Sequence, residues 1–270
     1  MSNALAREIF LATGLVALLL GSMFLSTGTF PPMVVVESGS MMHDDEGQIG
    51  AIDPGDLVLV INPERKDIVT FVEATDPLND NFGYESHGME GDVIVFRKNG
   101  GSDTPVIHRA LVKAIENDSG GWDVPGTTLL GVQSINWTLD YPCESYHGND
   151  YDLRIENWVP SHDGYLTTGD NEDSNGCRID QLSATGQDGR NGQLDENNNP
   201  VTAVKDEWVI GIASTEIPWI GAAKLFFSPP PSASYVTDKT WTMLILVIAS
   251  ILVAPSVVEA FQSKQSTEEE

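Results

Sequence analysis

Two apolar blocks, one near each end of the chain, constrain its fold more than any other feature. Residues Ile9–Gly28 carry no charge and supply the roughly 20 residues that a helix needs to cross a bilayer. The block Trp241–Val258 is shorter, but a tryptophan at its start and Lys239 just before it are typical of a membrane interface. We therefore expect transmembrane helices over residues 9–28 and 239–258.

Each block also has an alternative interpretation. The first could be a cleavable signal peptide, although it exceeds the usual apolar region of about 7–15 residues. The second could be a buried core helix, and a proline near its end would kink or shorten it. Basic residues flank the blocks on the side of the chain ends, which places residues 1–8 and 259–270 in the cytoplasm. Residues 29–238 are then expected outside the cytoplasm, anchored to the cell membrane by two spans.

The chain is strongly acidic. Its 40 Asp and Glu residues face 14 Lys and Arg residues, which gives a formal net charge of −26. Phosphate groups are bound by clusters of Lys and Arg, so this composition argues against a nucleic-acid partner. A strongly solvated surface explains the acidity, and attraction of basic substrates is the alternative.

The segment between the blocks has the pattern of a β protein. Short apolar runs, most of them rich in β-branched residues, are punctuated by Gly, Pro, Asn and Asp. The runs expected to form strands are residues 33–38, 56–61, 67–72, 92–97, 105–115 and 207–214. Long loops or insertions are expected over residues 75–91 and 117–161, and irregular structure over residues 173–200. The predicted fold class is a mainly β extracytoplasmic domain between an N-terminal and a C-terminal transmembrane helix.

A serine follows the first predicted strand in a sequence that favours its exposure. Residues 34–41 read Val-Val-Val-Glu-Ser-Gly-Ser-Met, and Gly39 permits a tight bend that would leave Ser40 at the strand end. A serine hydroxyl is a weak nucleophile and needs a neighbouring base. Taken alone, the tripeptide also fits a linker. His108, within the apolar run Pro-Val-Ile-His-Arg-Ala-Leu, is the candidate base, although a lone histidine in such a strand is more often structural.

The order of these motifs resembles that of type I signal peptidases. Ser-Gly-Ser-Met at 38–41 follows an apolar span, and Gly-Asp pairs open two strands at Gly55 and Gly91. Ile-His-Arg, then Thr-Gly-Asp-Asn at 168–171, and finally Asp180 complete the set. Histidine stands where bacterial members carry lysine, which is the pattern of the archaeal and endoplasmic-reticulum enzymes. The resemblance covers the core of the segment and leaves its long loops unexplained.

The resemblance implies a role for each site residue. Ser40 would attack the scissile carbonyl, His108 would accept the serine proton, and Asp180 would orient and stabilise the imidazole. Asp170 would be a supporting catalytic residue. The Ser40 amide and the Ser38 hydroxyl would form the oxyanion hole.

The separation of the two aspartates departs from the family pattern. Eight residues, 172–179, lie between the end of the Thr-Gly-Asp-Asn motif at Asn171 and Asp180, which is more than the family usually has. Asp173 is therefore a rival for the orienting role. The pairing of Asp180 with Gln181 matches the archaeal pattern and favours Asp180.

Two further features of this region leave alternatives open. The tract from Asn171 to Gly176 alternates oxygen-bearing side chains like the start of a calcium loop, but Leu182 stands where a full loop would have glutamate. We interpret the tract as a solvated turn and expect no metal or other cofactor. Cys143 and Cys177 are either bridged, as an extracytoplasmic location allows, or two unrelated thiols.

The expected function is cleavage of signal peptides from exported preproteins by a membrane-bound serine endopeptidase. Signal peptides, the lipid bilayer and the protein-export channel are the expected partners. Met41 and the strands at 56–61 and 92–97 are expected to border a groove in which an extended substrate adds as a strand. The alternative is a non-catalytic two-span membrane protein that displays an acidic β domain for partner binding. An autoprotease of the repressor type fits less well, because those proteins lack membrane anchors and use a lysine base.

Overall fold

The computed structural model describes residues 2–142, 152–171, 178–186, 192–228 and 235–268. Its helices are α1 (Ser2–Thr27), α2 (Phe71–Thr75), α3 (Ala222–Phe226) and α4 (Asp238–Glu268). Its strands are β1 (Met33–Val35), β2 (Leu57–Ile61), β3 (Glu85–Ser86), β4 (Met89–Glu90), β5 (Val93–Phe96), β6 (Val106–Glu116), β7 (Trp122–Asp123), β8 (Ile135–Leu139), β9 (Leu153–Trp158), β10 (Gly164–Thr168) and β11 (Val209–Ile217). Short 3-10 helices cover Lys98–Gly100, Leu182–Thr185 and Asp206–Trp208. The prediction of a β-rich chain with two apolar terminal helices is confirmed.

The terminal helices each contain a stretch that is long and apolar enough to span a membrane. These stretches are Leu5–Thr27 in α1 and Asp238–Ser256 in α4. Helix α4 continues through Pro255 to Glu268. Of the two expected effects of this proline, a kink or a shortened helix, the shortening does not occur, since a proline removes one backbone hydrogen bond without forcing every helix to end.

The main sheet is antiparallel and follows the order β1-β2-β11-β5-β6-β10, with β7 pairing the end of β6. Along β6, residues Val106–Arg109 pair with β5, and the pairing with β10 starts at Arg109. The edge of Val106–His108 that faces away from β5 is thus free of β10. Strand β1 pairs with β2 and ends the sheet on the other side.

The run at 67–72 does not form the predicted strand. Helix α2 starts at Phe71 because Thr70 and Glu73 form a capping box, in which Thr70 Oγ1 accepts from Glu73 N and Glu73 Oε2 accepts from Thr70 N. Phe71 and Val72 then pack in the core beside Leu111 of β6. A local capping signal thus outweighs the β-branched composition of the run.

The expected loop at 117–161 also contains regular structure. Strands β8 and β9 pair as an antiparallel two-stranded sheet. Apolar side chains at alternate positions, among them Ile135, Leu139, Leu153 and Ile155, are buried in the main core. Polar residues occupy most intervening positions, so the apolar content of these strands is too low to stand out as a run. Strand β10 was likewise not among the predicted strands.

The N-terminal part of α4 packs against the β domain. Leu244 and Val236 are buried with Ala222 and Leu225 of α3, and Val35 of β1 packs against the same cluster. Lys239 Nζ donates to Gly47 O at 2.7 Å, and Thr237 Oγ1 donates to Glu46 O at 3.1 Å. The final helix is therefore fixed to the loop that follows Ser40.

Candidate active site

Ser40 lies in a turn that begins where β1 ends. Val36 is still tied to the neighbouring segment, since its N–H donates to Asp56 O and its carbonyl accepts from Gly55 N, both at 3.0 Å. The chain then turns, and Met42 N donates to Gly39 O at 3.2 Å. Ser38 is exposed and Ser40 is partly exposed. Their hydroxyl oxygens lie 3.4 Å apart, so both hydroxyls face the same side of the turn.

His108 lies in β6, directly opposite Ile94 of β5. Its side chain is almost fully buried, and Nδ1 lies 2.6 Å from Oδ2 of Asp180. A carboxylate on Nδ1 holds the proton on that nitrogen and leaves Nε2 of the neutral ring as an acceptor. This is the tautomer that a general base requires.

The Asp180 carboxylate is itself fixed on both oxygens. Thr167 Oγ1 donates to Oδ2 at 2.7 Å, and Gln193 Nε2 donates to Oδ1 at 3.0 Å. The backbone N–H of Asp180 donates to Thr167 O at 2.9 Å. Gln181 adds a further tie, because its Oε1 accepts from Thr167 N at 3.0 Å. Asp180 is thus held against strand β10, next to the strand that carries His108.

Gly169 brings the Ser40 turn and the His108 ring together. A Cβ atom built at this glycine would lie 3.0 Å from His108 Nε2 and even closer to the Ser40 carbonyl oxygen. Real Cβ contacts of this kind are essentially absent from proteins, so position 169 has no room for a side chain. Only the backbone of Gly169 therefore separates the Nε2 edge of the imidazole from the Ser40 segment.

Asp170, the next residue, does not bond to His108. Its carboxylate is fully buried and accepts hydrogen bonds from Arg109 Nε at 3.0 Å and from Tyr141 OH at 2.7 Å. Oδ2 also lies 3.1 Å from His43 Nε2. Burial alone would raise the pKa of Asp170, but the Arg109 guanidinium and the hydrogen bonds from His43, Arg109 and Tyr141 hold it well below its usual range. The carboxylate therefore stays ionised and anchors the loop.

Arg109 is the hub of this anchor. Its side chain is 0% exposed, although an arginine is almost never fully buried without partners. Besides binding Asp170, its NH1 donates to four backbone carbonyls, those of Ser86, Met89, Glu90 and Gly91. Because Arg109 follows His108 in the strand, the two side chains point to opposite faces of the sheet. The candidate base, His108, is therefore on one face of the sheet, and the Arg109 side chain that anchors the loop is on the other.

Ser38, Ser40 and His108 line one groove with a volume of about 1340 Å³. Two segments form most of its walls, residues 33–40 and residues 102–108. Two of the expected groove elements are elsewhere. Met41 is 1% exposed and packs in the core with Val36 and Ile52, because adjacent residues in the turn point to different sides. Strand β2 lies beside β1 in the sheet and does not line the groove, and β5 contributes Val95.

The loop after Ser40 holds two buried carboxylates. Asp53 Oδ2 accepts from Gln48 N at 2.7 Å, and Asp56 accepts from Asp53 N at 3.1 Å and from Trp219 N at 2.9 Å. Burial raises the pKa of Asp53 to about 6, with a further contribution from the neighbouring Asp56. Burial likewise raises the pKa of Asp56 to about 6.

Several sequence hypotheses lie outside the described residues. These are the rival role of Asp173, the calcium-like tract after Asn171, and the pairing of Cys143 with Cys177. Within the described ranges, no group of three or more His, Cys, Asp or Glu side chains could hold a metal ion.

The sequence hypotheses assigned no role in the catalytic site to Arg109, Asn171, Gly169, Thr167 or Gln193. Arg109 and Gly169 belong to the quoted motifs, so their proximity to the site was visible. The hydrogen bonds of Thr167 and Gln193 to Asp180 join positions 13 residues apart and carry no recognisable sequence signal. Comparison of the chain with protein-family models, curated proteins and solved structures finds no match.

Proposed function

We propose that the chain is a membrane-anchored serine endopeptidase of the type I signal peptidase kind. It would cleave signal peptides from exported preproteins, with Ser40 as nucleophile, His108 as general base and Asp180 as the residue that orients the base. The observation that carries this proposal is the 2.6 Å contact between His108 Nδ1 and Asp180 Oδ2, at the wall of the groove that also exposes Ser40.

The chemistry follows from these roles. His108 Nε2 takes the proton from Ser40 Oγ as that oxygen attacks the scissile carbonyl. The negative charge that develops on the carbonyl oxygen is stabilised by the Ser40 N–H and the Ser38 hydroxyl. The imidazolium, stabilised by Asp180, then protonates the leaving amine. A water molecule, activated by His108 in the same way, releases the acyl group from Ser40.

The free strand edges support binding of an extended substrate. Strand β1 ends the main sheet, and Val106–His108 have no β10 partner on one side. Both segments line the groove. A peptide that enters the groove in extended form can hydrogen-bond to these edges, while the groove walls select its side chains.

The position of the site supports a substrate that emerges from a membrane. Helix α1 ends at Thr27, and Ser40 follows it by 13 residues, which at about 3.3–3.6 Å per residue cannot extend beyond roughly 45 Å. If α1 and α4 span the cell membrane with the β domain outside the cytoplasm, Ser40 stays close to the outer surface. A signal peptide held in the bilayer presents its cleavage site at that level, and the export channel would deliver it there.

The decisive experiment measures processing of a preprotein by the purified full chain in detergent or nanodiscs. We expect cleavage by the wild type and a loss of at least about 10⁴-fold in kcat for Ser40→Ala and for His108→Ala. His162→Ala, which changes a partly exposed histidine outside the groove, is the matched control and should cleave normally. Cleavage that persists in Ser40→Ala would rule out the mechanism and favour the non-catalytic alternative.

A further inference from the structure

One residue without a role in the proposed chemistry binds the carbonyl groups on both sides of the Ser40 α-carbon, one through its side chain and one through its backbone. Asn171 Nδ2 donates a 2.6 Å hydrogen bond to Gly39 O. The backbone N–H of Asn171 donates to Ser40 O at 3.0 Å. Met42 N adds a longer hydrogen bond to Gly39 O, at 3.2 Å. The short contact from the Asn171 amide is therefore the main lateral restraint on this peptide unit.

The planarity of the peptide bond gives this restraint a direction. In a trans peptide, the carbonyl of one residue and the N–H of the next point in opposite directions. Because the Gly39 carbonyl points at Asn171, the Ser40 N–H points away from Asn171. Ser40 N–H donates no hydrogen bond within the part of the chain that the structure describes. No acceptor among the described residues therefore competes with a substrate oxygen for this N–H.

The peptide unit needs such a restraint. Gly39 has no Cβ atom, so rotation of the Gly39–Ser40 peptide meets little steric resistance from its own residue. A rotation of this kind would exchange the directions of the Ser40 N–H and the Gly39 carbonyl, and a carbonyl oxygen in place of the N–H repels a developing oxyanion.

Asn171 is itself rigidly placed. Asp170, directly before it, is fully buried and bonded to Arg109, Tyr141 and His43. The backbone of Gly169 runs so close to Ser40 O and His108 Nε2 that a Cβ atom there would meet both. His43 also belongs to the Ser40 segment, so residues 170–171 hydrogen-bond to that segment at two points, His43 and Gly39. The direction of the Ser40 N–H is thus connected, through Asn171, to the buried ion pair.

We infer that Asn171 is the positioning residue that aims the Ser40 N–H of the oxyanion hole. This inference rests on the proposed function and deepens it. Asn171 does not touch the reacting atoms. It acts by fixing the peptide unit whose N–H stabilises the transition state.

The test compares Asn171→Ala and Asn171→Asp with the wild type in preprotein cleavage. Aspartate keeps the size of the side chain and the backbone N–H, but it cannot donate to Gly39 O. We expect both variants to lose about 10- to 100-fold in kcat, the scale of a small misplacement of a reacting group, with KM changed by less than about threefold. Asn62→Ala is the matched control, because Asn62 Nδ2 also donates to a backbone carbonyl, that of Gly28, away from the groove.

A second readout separates aiming of the N–H from general damage. A peptide aldehyde that forms a tetrahedral adduct with Ser40 uses the oxyanion hole, whereas the same sequence as an uncleaved peptide, measured in a Ser40→Ala background, does not. Loss of Asn171 should reduce the affinity for the aldehyde by about the same factor as it reduces kcat. The affinity for the uncleaved peptide should change by less than about threefold. The pH profile of kcat/KM should keep its shape.

The outcomes are distinguishable. Absence of Ser40-dependent cleavage in the wild type would remove the proposed function and this inference together. This inference alone would be wrong if cleavage depends on Ser40 but kcat is undiminished in Asn171→Ala or Asn171→Asp. It would also be wrong if the affinities for the aldehyde and for the peptide fall equally. If Asn171→Ala fails to fold, Asn171→Asp with the aldehyde measurement still decides.

Discussion

The Nδ1 atom of His108 lies 2.6 Å from Oδ2 of Asp180, and both residues are 3% exposed. The two residues are 72 positions apart in the chain. Thr167 and Gln193 complete the hydrogen bonding of the carboxylate, so its orientation does not depend on His108 alone. The contact therefore selects one tautomer of the ring and leaves Nε2 available as the base.

Replacement of Asp180 by asparagine should abolish this selection while keeping the shape of the site. An amide can donate to the imidazole and favour the wrong tautomer, so we expect kcat for preprotein cleavage to fall by about 10⁴-fold with little change in KM. Single-turnover kinetics measure this effect. Thr167→Val removes one hydrogen bond to the same carboxylate, and we expect its kcat to fall far less, by roughly tenfold or below. Equal losses in the two variants would contradict the role assigned to Asp180.

Replacement of Arg109 by methionine should destabilise the whole β domain. The change leaves Asp170 ionised, buried and without its guanidinium partner. An unpaired buried charge of this kind typically lowers the free energy of unfolding by about 3–5 kcal/mol. Denaturant or thermal unfolding of the purified chain should show a large loss of stability relative to the wild type. The double variant Arg109→Met with Asp170→Asn removes the unpaired charge, so it should recover part of the stability. A single variant as stable as the wild type would show that the ion pair does not hold the loop.

Much of the fold could be predicted from the sequence because its signals are local. Apolar length identifies the helices α1 and α4, and β-branched runs identify β2, β5, β6 and β11. The prediction failed at Phe71, where the capping box of Thr70 and Glu73 starts a helix. It also failed at β8 and β9, where alternation with polar residues dilutes the apolar signal.

The candidate site could be predicted only as far as short motifs reach. Ser40 and His108 stand in such motifs, and the structure places them on one groove. The hydrogen bonds of Asn171 to the Ser40 turn and of Arg109 to Asp170 join segments 61 or more positions apart, so no local pattern reveals them. Met41 was expected to border the groove, but adjacent residues in the turn point to different sides, and its side chain belongs to the core.

The buried carboxylate of Asp53 should make stability depend on pH in an unusual direction. Its pKa is raised by burial from 3.8 to about 6, so the folded state binds a proton more tightly than the unfolded state does. This group therefore contributes most to stability below pH 3.8, and the contribution is lost as pH rises through about 6. Asp53→Asn should raise Tm relative to the wild type at pH 7.5 and bring no such gain at pH 4. Asp45→Asn, an exposed change in the same loop, is the control.

The comparison of the two pH values decides this prediction. Asparagine keeps an oxygen that can accept from Gln48 N and removes only the charge. A gain in Tm that is equal at pH 4 and pH 7.5 would show that the effect does not come from ionisation. The same gain in Asp45→Asn would trace it to the net charge of the chain.

Gly169→Ala should impair catalysis more than its size suggests. The added methyl group would meet the Ser40 carbonyl oxygen and His108 Nε2, so the turn and the imidazole must move apart. A displacement of about 1 Å between reacting groups can reduce the rate by about 10²-fold, and we expect a loss of that order in kcat. Gly14→Ala is the control, because nothing lies within 4 Å of a Cβ at that position. Because the methyl group separates two partners without removing either, a variant that cleaves at the wild-type rate would mean that Ser40 and His108 do not act through the edge of the ring that faces Gly169.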